Sequence, residues 1–436
     1  MCAAGAVAMR KNVSLSISRR SFCQSVARTS ALGALLSAVP RGWAGSTPAS
    51  DAPETSKMKF GIIALTDCSP IVIAHEKGLF KKYGIESTVS KGANWAAIRD
   101  SLSSGDIQGT HMLLGMPIAS TMGLLGSPKK PMIIPWILNR NGQSISLKNG
   151  FKGKVQADPK ALKPFVDKAK SLGEPLTFAM TFPPGTHAMW TRYYLGAGGI
   201  NPDKDVSLIV IPPPQMVANM KVGSMHFFCV GEPWNAQLIH QKIGFSACTT
   251  QQIWVDHPEK TLGVRADWVE KNPKTALAVT KAVLEAQIWC DKPENKKEMC
   301  EIVSRRSWFN VPVDDIIGRT NGEIDFGDGR KIAKDPNLMK YWKDFASYPF
   351  QSHELWFLTE NIRWGNLPPD TDTKGLVKKV NREDIWRAAA KAINAPAAEI
   401  PASTSRGKET FFDGKVFDPE NPAAYLASLA IKKVAA

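Results

Sequence analysis

From Lys59 to Val230 short apolar runs alternate with stretches of helical periodicity, and this alternation restricts the fold more than any other feature of the chain. Lys59–Leu65, Gly84–Val89 and Ile107–Leu114 read as strands, with helices expected over Pro70–Phe80, Trp95–Leu102 and Pro117–Leu125. The pattern then repeats, with strands at Leu176–Thr181, Val206–Ile211 and His226–Val230 and helices at Thr186–Leu195 and Gln215–Lys221. Strands separated by helices imply βαβ units around a mostly parallel sheet flanked by helices. Residues 105–117 and 223–233 echo each other: in both a helix leads to a glycine and a buried strand. The echo fits two lobes of similar topology facing one another, and it also fits the ordinary recurrence of such units in any α/β fold. A length of 436 residues, beyond what one core usually serves, favours two lobes. From Pro273 onward the chain is mainly helical (Thr275–Cys290, Lys296–Ser304, Arg382–Ala395), and after about residue 310 it is expected only to complete the fold and brace a hinge.

The first residues read as an export leader. Ser18-Arg19-Arg20-Ser21-Phe22 precedes a moderately apolar stretch, Ala31–Pro40, and the small-residue site Gly42-Trp43-Ala44. That is the layout of a twin-arginine signal, with cleavage expected near Ala44, and the apolar stretch is too short to span a bilayer. The start is Met1 or Met9. A periplasmic protein is expected, with residues 45–57, rich in Ser, Pro and Ala, as a flexible joint. Residues 1–44 carry six basic and no acidic side chains, so removing them lowers the net charge from +15 to +9. A surplus of that size suits attraction of a small anion or simply solubility. No dense Lys/Arg stripe with interleaved aromatics is present, which excludes a nucleic-acid groove, and membrane contact is expected only through a partner. Five cysteines follow the leader (Cys68, Cys229, Cys248, Cys290, Cys300), so at least one thiol stays free.

Catalytic and metal-binding patterns are missing. There is no G-x-S-x-G, P-loop, H-E-x-x-H or clear pair of carboxylates, so no catalytic residue and no cofactor is expected. Asp370-Thr-Asp372-Thr-Lys-Gly375 begins like a calcium loop, but Lys374 and Asn381 stand where ligands are wanted, and no metal is expected.

Six segments in order, Gly78–Ile85, Gly92–Trp95, Asn141–Gln143, Pro183–His187, Cys229–Asn235 and His257–Lys260, resemble the nitrate- and bicarbonate-binding proteins of bacterial ABC importers. The resemblance covers roughly residues 57–390. It implies a two-lobed periplasmic binding protein of the Venus-flytrap type (type II), with the ligand in the cleft between α/β lobes. The implied division is 58–150 with 262–436 for lobe 1 and 151–261 for lobe 2. The implied ligand site is Trp95 and Gln143 from the first lobe, His187 and Gly231 from the second, and Lys260; the implied partners are an ABC permease and its ATPase.

Those residue types suit nitrate, which accepts hydrogen bonds and donates none, so that a buried site must offer donors and positive charge. Trp95 offers an indole N–H, Gln143 an amide, His187 a ring N–H, Gly231 a bare backbone N–H and Lys260 the compensating charge. Gly185-Thr186-His187 also opens a helix, where backbone N–H groups and the helix dipole favour an anion. Nitrite is also acceptor-only. Bicarbonate carries an O–H that needs a buried acceptor; in the bicarbonate-binding relatives an acidic residue stands at the position of Lys260, and a shift of register by one residue would turn Glu259 inward instead. The fold is also used by thiamine-precursor synthases and would serve a cytoplasmic nitrate sensor; the missing catalytic pattern argues against the first and the leader against the second.

Overall fold

The computed structural model describes residues 52–433, so the leader and its cleavage site lie outside the described residues. The chain builds β1 (Lys57–Ile62), β2 (Glu86–Lys91), β3 (Gly109–Leu113), β4 (Met132–Ile133) and β5 (Ile137–Arg140) into a first sheet. It then crosses to a second sheet of β6 (Gln143–Lys148), β7 (Thr177–Met180), β8 (Ser207–Val210), β9 (Phe227–Gly231) and β10 (Gly244–Thr249). It returns to the first with β11 (Pro258–Arg265). The spatial orders are β2-β1-β3-β11-β4, with β5 also on β11, and β10-β6-β9-β7-β8.

Both sheets are mixed rather than mostly parallel. β2, β1 and β3 are parallel, as are β9, β7 and β8, each set built by the expected crossover helices. β11 runs antiparallel to β3, and β6 antiparallel to β9. These two strands arrive directly from the other sheet, so no crossover helix turns them parallel. They also move the division of the chain: it changes sheets between β5 and β6 and between β10 and β11, rather than at the expected 150/151 and 261/262.

Apolar alternation joins the two halves. Along β9, Phe227 and Cys229 enter one core with Phe178, Trp190 and Trp356, while Phe228 and Val230 enter the other with Leu65, Val283 and Tyr341. The strand is buried on both faces, as its near-continuous apolar run requires. The helix Gln351–Arg363 closes the core that holds Phe227 and Cys229, and the helix Pro273–Asp291 the core that holds Phe228 and Val230.

Smaller expectations resolve locally. Part of the presumed joint is held: the Glu54 carboxylate accepts from the backbone N–H of Lys274 at 3.0 Å and of Thr275 at 2.8 Å, capping the helix that starts at Pro273. Asp372 in the calcium-like stretch is likewise a helix cap, accepting from the Gly375 N–H at 2.9 Å. All five described cysteines are buried and free. Among the described residues no helix is long and apolar enough to cross a membrane.

Candidate functional site

Each expected site residue is placed by a strand end or a helix start. Asn94 caps the helix Trp95–Ser104 through its bond from the Ala97 N–H at 2.9 Å, which fixes the backbone at Trp95. The Trp95 indole lies against His111 of β3 with ring centroids 5.0 Å apart. Gln143 opens β6 opposite Gly231, the last residue of β9. His187 is the second residue of the helix Thr186–Ala197, and Lys260 sits on β11 opposite Leu113. All five are buried.

A carboxylate and a ring that sequence reasoning missed connect them. Asp67 Oδ2 accepts from Lys260 Nζ at 2.8 Å and from Gln143 Nε2 at 3.4 Å, and Asp67 Oδ1 lies 2.5 Å from His111 Nε2. Gln143 Oε1 lies 2.7 Å from His187 Nε2. An amide oxygen only accepts, so Nε2 carries the proton and Nδ1 accepts from Thr181 Oγ1 at 2.6 Å. Gly231 belongs to the same cluster by close approach: a Cβ there would stand 2.7 Å from Gln143 Oε1 and 3.2 Å from Asp67 Oδ2. The structure therefore brings all five expected residues into one buried group drawn from both sheets. Gln143, assigned above to the first lobe, belongs to the second sheet.

The loop that carries Asp67 is tied across the sheets. The Thr66 N–H donates to Glu232 O at 2.8 Å, Trp234 Nε1 to Ala64 O at 2.9 Å, and the Tyr341 hydroxyl to Thr66 O at 2.8 Å. Asp67 is thereby held beside Gly231. His111 carried a signal in the sequence, as a titratable residue inside the apolar run Ile107–Leu114; Asp67 carried none beyond its place just after a strand.

Glu259 and Lys260 both turn inward. Lys260 Nζ bridges Asp67 and Glu259, the latter at 2.5 Å. The Glu259 carboxylate also accepts from Thr186 Oγ1 at 2.7 Å and from Trp190 Nε1 at 2.5 Å. Two side chains of the helix Thr186–Ala197 thus already hold the Glu259 carboxylate.

Charge in the group follows from burial and from these pairs. Burial opposes the Asp67 anion, but Lys260 and His111 outweigh it and hold the carboxyl well below its usual range. Burial likewise opposes the Lys260 cation, and Asp67 with Glu259 more than restores it, so the ammonium persists. Burial pushes the Glu259 carboxyl up against the pull of Lys260. Burial also lowers both imidazoles, that of His187 well below its ordinary value with Lys260 adding to the effect, so they serve as neutral donors near pH 7. The Trp95 indole N–H is buried without a partner among the described residues, which costs about 1–3 kcal/mol unless a ligand accepts from it. Such a group can bind a small acceptor-rich ion. Among the described residues no set of three or more His, Cys, Asp or Glu is arranged to hold a metal.

Comparison with known proteins gives the same direction. Residues 51–304 match the model of the NMT1-like family. The chain is 54% identical over 399 residues to the nitrate/nitrite binding protein NrtA of Nostoc sp., covering 90% of each. The crystal structure of the periplasmic nitrate-binding protein NrtA from Synechocystis superposes with a TM-score of 0.84 at 55% identity, covering 87% of this chain and 100% of that one. Identity falls to 38% over 397 residues with the bicarbonate-binding protein CmpA of Synechococcus elongatus, covering 87% of this chain and 88% of that one. A segment of the nitrate import ATP-binding protein NrtC of Synechocystis is 34% identical over 382 residues, which span 87% of this chain and 56% of that one.

Proposed function

The chain belongs to the NMT1-like family, among the anion-binding proteins of ABC importers, and from that premise we propose that it captures nitrate in the periplasm and delivers it to an ABC permease and its ATPase. Nitrite, also acceptor-only, is a second ligand of the same site. The role is capture and delivery rather than catalysis. The observation that carries the reading is the convergence of buried donors from both sheets around one ammonium, Lys260, with the Trp95 indole N–H still unpartnered. Trp95, Gln143, His187, the Gly231 backbone and Lys260 are the ligand residues in this reading. Because they come from both sheets, bound nitrate holds the two lobes together. Export through the twin-arginine leader, cleaved near Ala44, supplies the periplasmic location.

Nitrate is preferred over bicarbonate for a hydrogen-bonding reason. Bicarbonate must donate its O–H to a buried acceptor. Glu259, the acid beside Lys260, is already engaged by Thr186, Trp190 and Lys260, and Asp67 by Lys260, Gln143 and His111. The higher identity to nitrate-binding relatives than to a bicarbonate-binding one supports the same choice.

Calorimetric titration of the mature protein from residue 45 with nitrate, nitrite, bicarbonate and sulfate tests the proposal. Nitrate is expected to bind with a Kd of about 1 μM or tighter, near −8 kcal/mol, with no bicarbonate heat. Bicarbonate binding without nitrate binding would overturn the assignment.

Gly231→Ala probes the site without altering charge. The added Cβ would stand 2.7 Å from Gln143 Oε1, 3.1 Å from Leu65 Cδ2 and 3.2 Å from Asp67 Oδ2, so Gln143 must swing away from its buried partners and stability should fall by about 1–3 kcal/mol. The displaced amide no longer bridges Asp67 and His187, and nitrate affinity should fall by about tenfold, one lost charge-assisted bond. A variant with unchanged nitrate affinity would remove Gln143 and Gly231 from the site.

A further inference from the structure

We propose that the Asp67 carboxylate is a resident anion within the donor set, and that nitrate affinity is set by competition between this carboxylate and the incoming ion for Lys260 and Gln143. The inference rests on the nitrate reading above and deepens it.

A carboxylate shares the chemistry of nitrate: planar, singly charged, acceptor-only. Asp67 takes Lys260 Nζ at 2.8 Å and Gln143 Nε2 at 3.4 Å, two of the donors that nitrate requires, and its third contact is His111 Nε2 at 2.5 Å. Its Oδ2 also stands 3.2 Å from where a Gly231 Cβ would be, beside the backbone assigned to the ligand. Both the Asp67 and the Lys260 side chains are fully buried.

A purely structural counter-ion does not account for this arrangement. Lys260 already has one, Glu259 at 2.5 Å, itself anchored by Thr186 and Trp190. One buried ammonium is therefore faced by two carboxylates, and nitrate would make three anions around it in a medium of low dielectric. Two adjustments relieve that excess. Asp67 releases donors to nitrate, and the cluster takes up a proton from solution. The titratable groups packed together there are Asp67, His111, His187, Glu259 and Lys260, with Cys68, Cys229 and His257 buried against them, drawn from the loop after β1, from β3, from the helix Thr186–Ala197, from β9 and from β11 with the residue before it. They are coupled, so the proton belongs to the cluster and not to one residue. A competitor of this kind keeps the affinity low enough for release to a permease.

The sign of the pH effect follows. If binding takes up a proton, raising the pH opposes binding, so nitrate affinity in the wild type falls as pH rises through neutrality. Asp67→Asn keeps the shape and removes the charge. It is expected to bind nitrate about tenfold more tightly, because one like charge no longer faces the ion, and to show a flatter pH profile.

The experiment is nitrate calorimetry on wild type and Asp67→Asn between pH 6.5 and 8.5, in pairs of buffers with different ionisation enthalpies, alongside thermal melting of both proteins. Tighter binding in Asp67→Asn together with a buffer-dependent enthalpy in the wild type is the expected result. Equal or weaker binding by a folded Asp67→Asn, or a wild-type enthalpy that is the same in every buffer, overturns the competition. If Asp67→Asn does not fold, the wild-type buffer and pH series decides alone. A wild type that gives no heat with nitrate at any pH instead removes the nitrate reading itself.

Discussion

Lys260→Gln should abolish measurable nitrate capture, weakening it at least about a hundredfold, and should lower folding stability by about 3–5 kcal/mol. Lys260 Nζ is fully buried between Asp67 and Glu259, at 2.8 and 2.5 Å. Removing the ammonium strands two carboxylates in the interior and takes the only cation from the donor set described above. The pH dependence has a defined sign. Lys260 is the largest influence holding the Asp67 carboxyl below its usual range, so its contribution is present above the ordinary carboxylate value and fades as pH falls. The stability gap between wild type and variant should therefore hold from pH 7 down to the ordinary carboxylate value of 3.8 and narrow only below it, read from urea unfolding. Asp67→Asn combined with Lys260→Gln separates the two roles, since it should recover much of the stability and none of the nitrate affinity. A Lys260→Gln protein that still binds nitrate as wild type does would make Lys260 a structural cation only. Charge reversal to glutamate is the weaker test, because three adjacent buried carboxylates would report on folding before binding.

Alternation between apolar strands and helices was readable because β1, β2 and β3, and likewise β7, β8 and β9, are linked by crossover helices, and both periodicities survive in the sequence. Among the strands that escaped reading, β6 and β11 carry Gln143 and Lys260 of the site. Gln143-Ser-Ile-Ser-Leu-Lys148 and Pro258-Glu-Lys-Thr261 look like solvated segments, yet all but Lys148 are buried. Their polar side chains are satisfied by helices distant in sequence: Ser146 by Asn235 at 2.7 Å, Glu259 by Thr186 and Trp190. Burial of this kind depends on contacts across more than 60 residues and leaves no periodicity to detect. For the same reason the five ligand candidates were reached through motif resemblance and donor chemistry, while Asp67, which has neither, was not. The aromatic support behind Glu259 is equally non-local: Trp190 stacks on Trp356 at 5.3 Å, from a helix in the C-terminal region expected only to complete the fold and brace a hinge.

That region reaches the second sheet through two cations, Arg330 against β10 and the more deeply buried Arg319, and removal of Arg319 is the second large effect expected. Arg319, from the helix Asp314–Thr320, is only 8% exposed. Its Nη1 donates to Glu232 Oε1 and Ser144 Oγ, both at 2.7 Å, and its Nη2 to Ser246 Oγ at 3.0 Å and Asp325 O at 3.2 Å. One guanidinium thus joins β6, β10 and the residue after Gly231. Arg319→Met should cost about 3–5 kcal/mol, because Glu232 is left charged and unpaired in a buried position. Burial already lifts the Glu232 carboxyl above its ordinary value against the pull of Arg319. Without that pull it rises further, so the variant's deficit should be largest above neutrality and shrink as the pH falls and Glu232 protonates. Glu232→Gln added to Arg319→Met should return most of the lost stability, which a simple packing defect would not. Nitrate affinity in the folded Arg319→Met protein should change by less than about tenfold, since Arg319 touches none of the ligand candidates and only braces their strands. A loss below about 1 kcal/mol in Arg319→Met would place this pair with weak surface bridges and leave the C-terminal region without a bracing role.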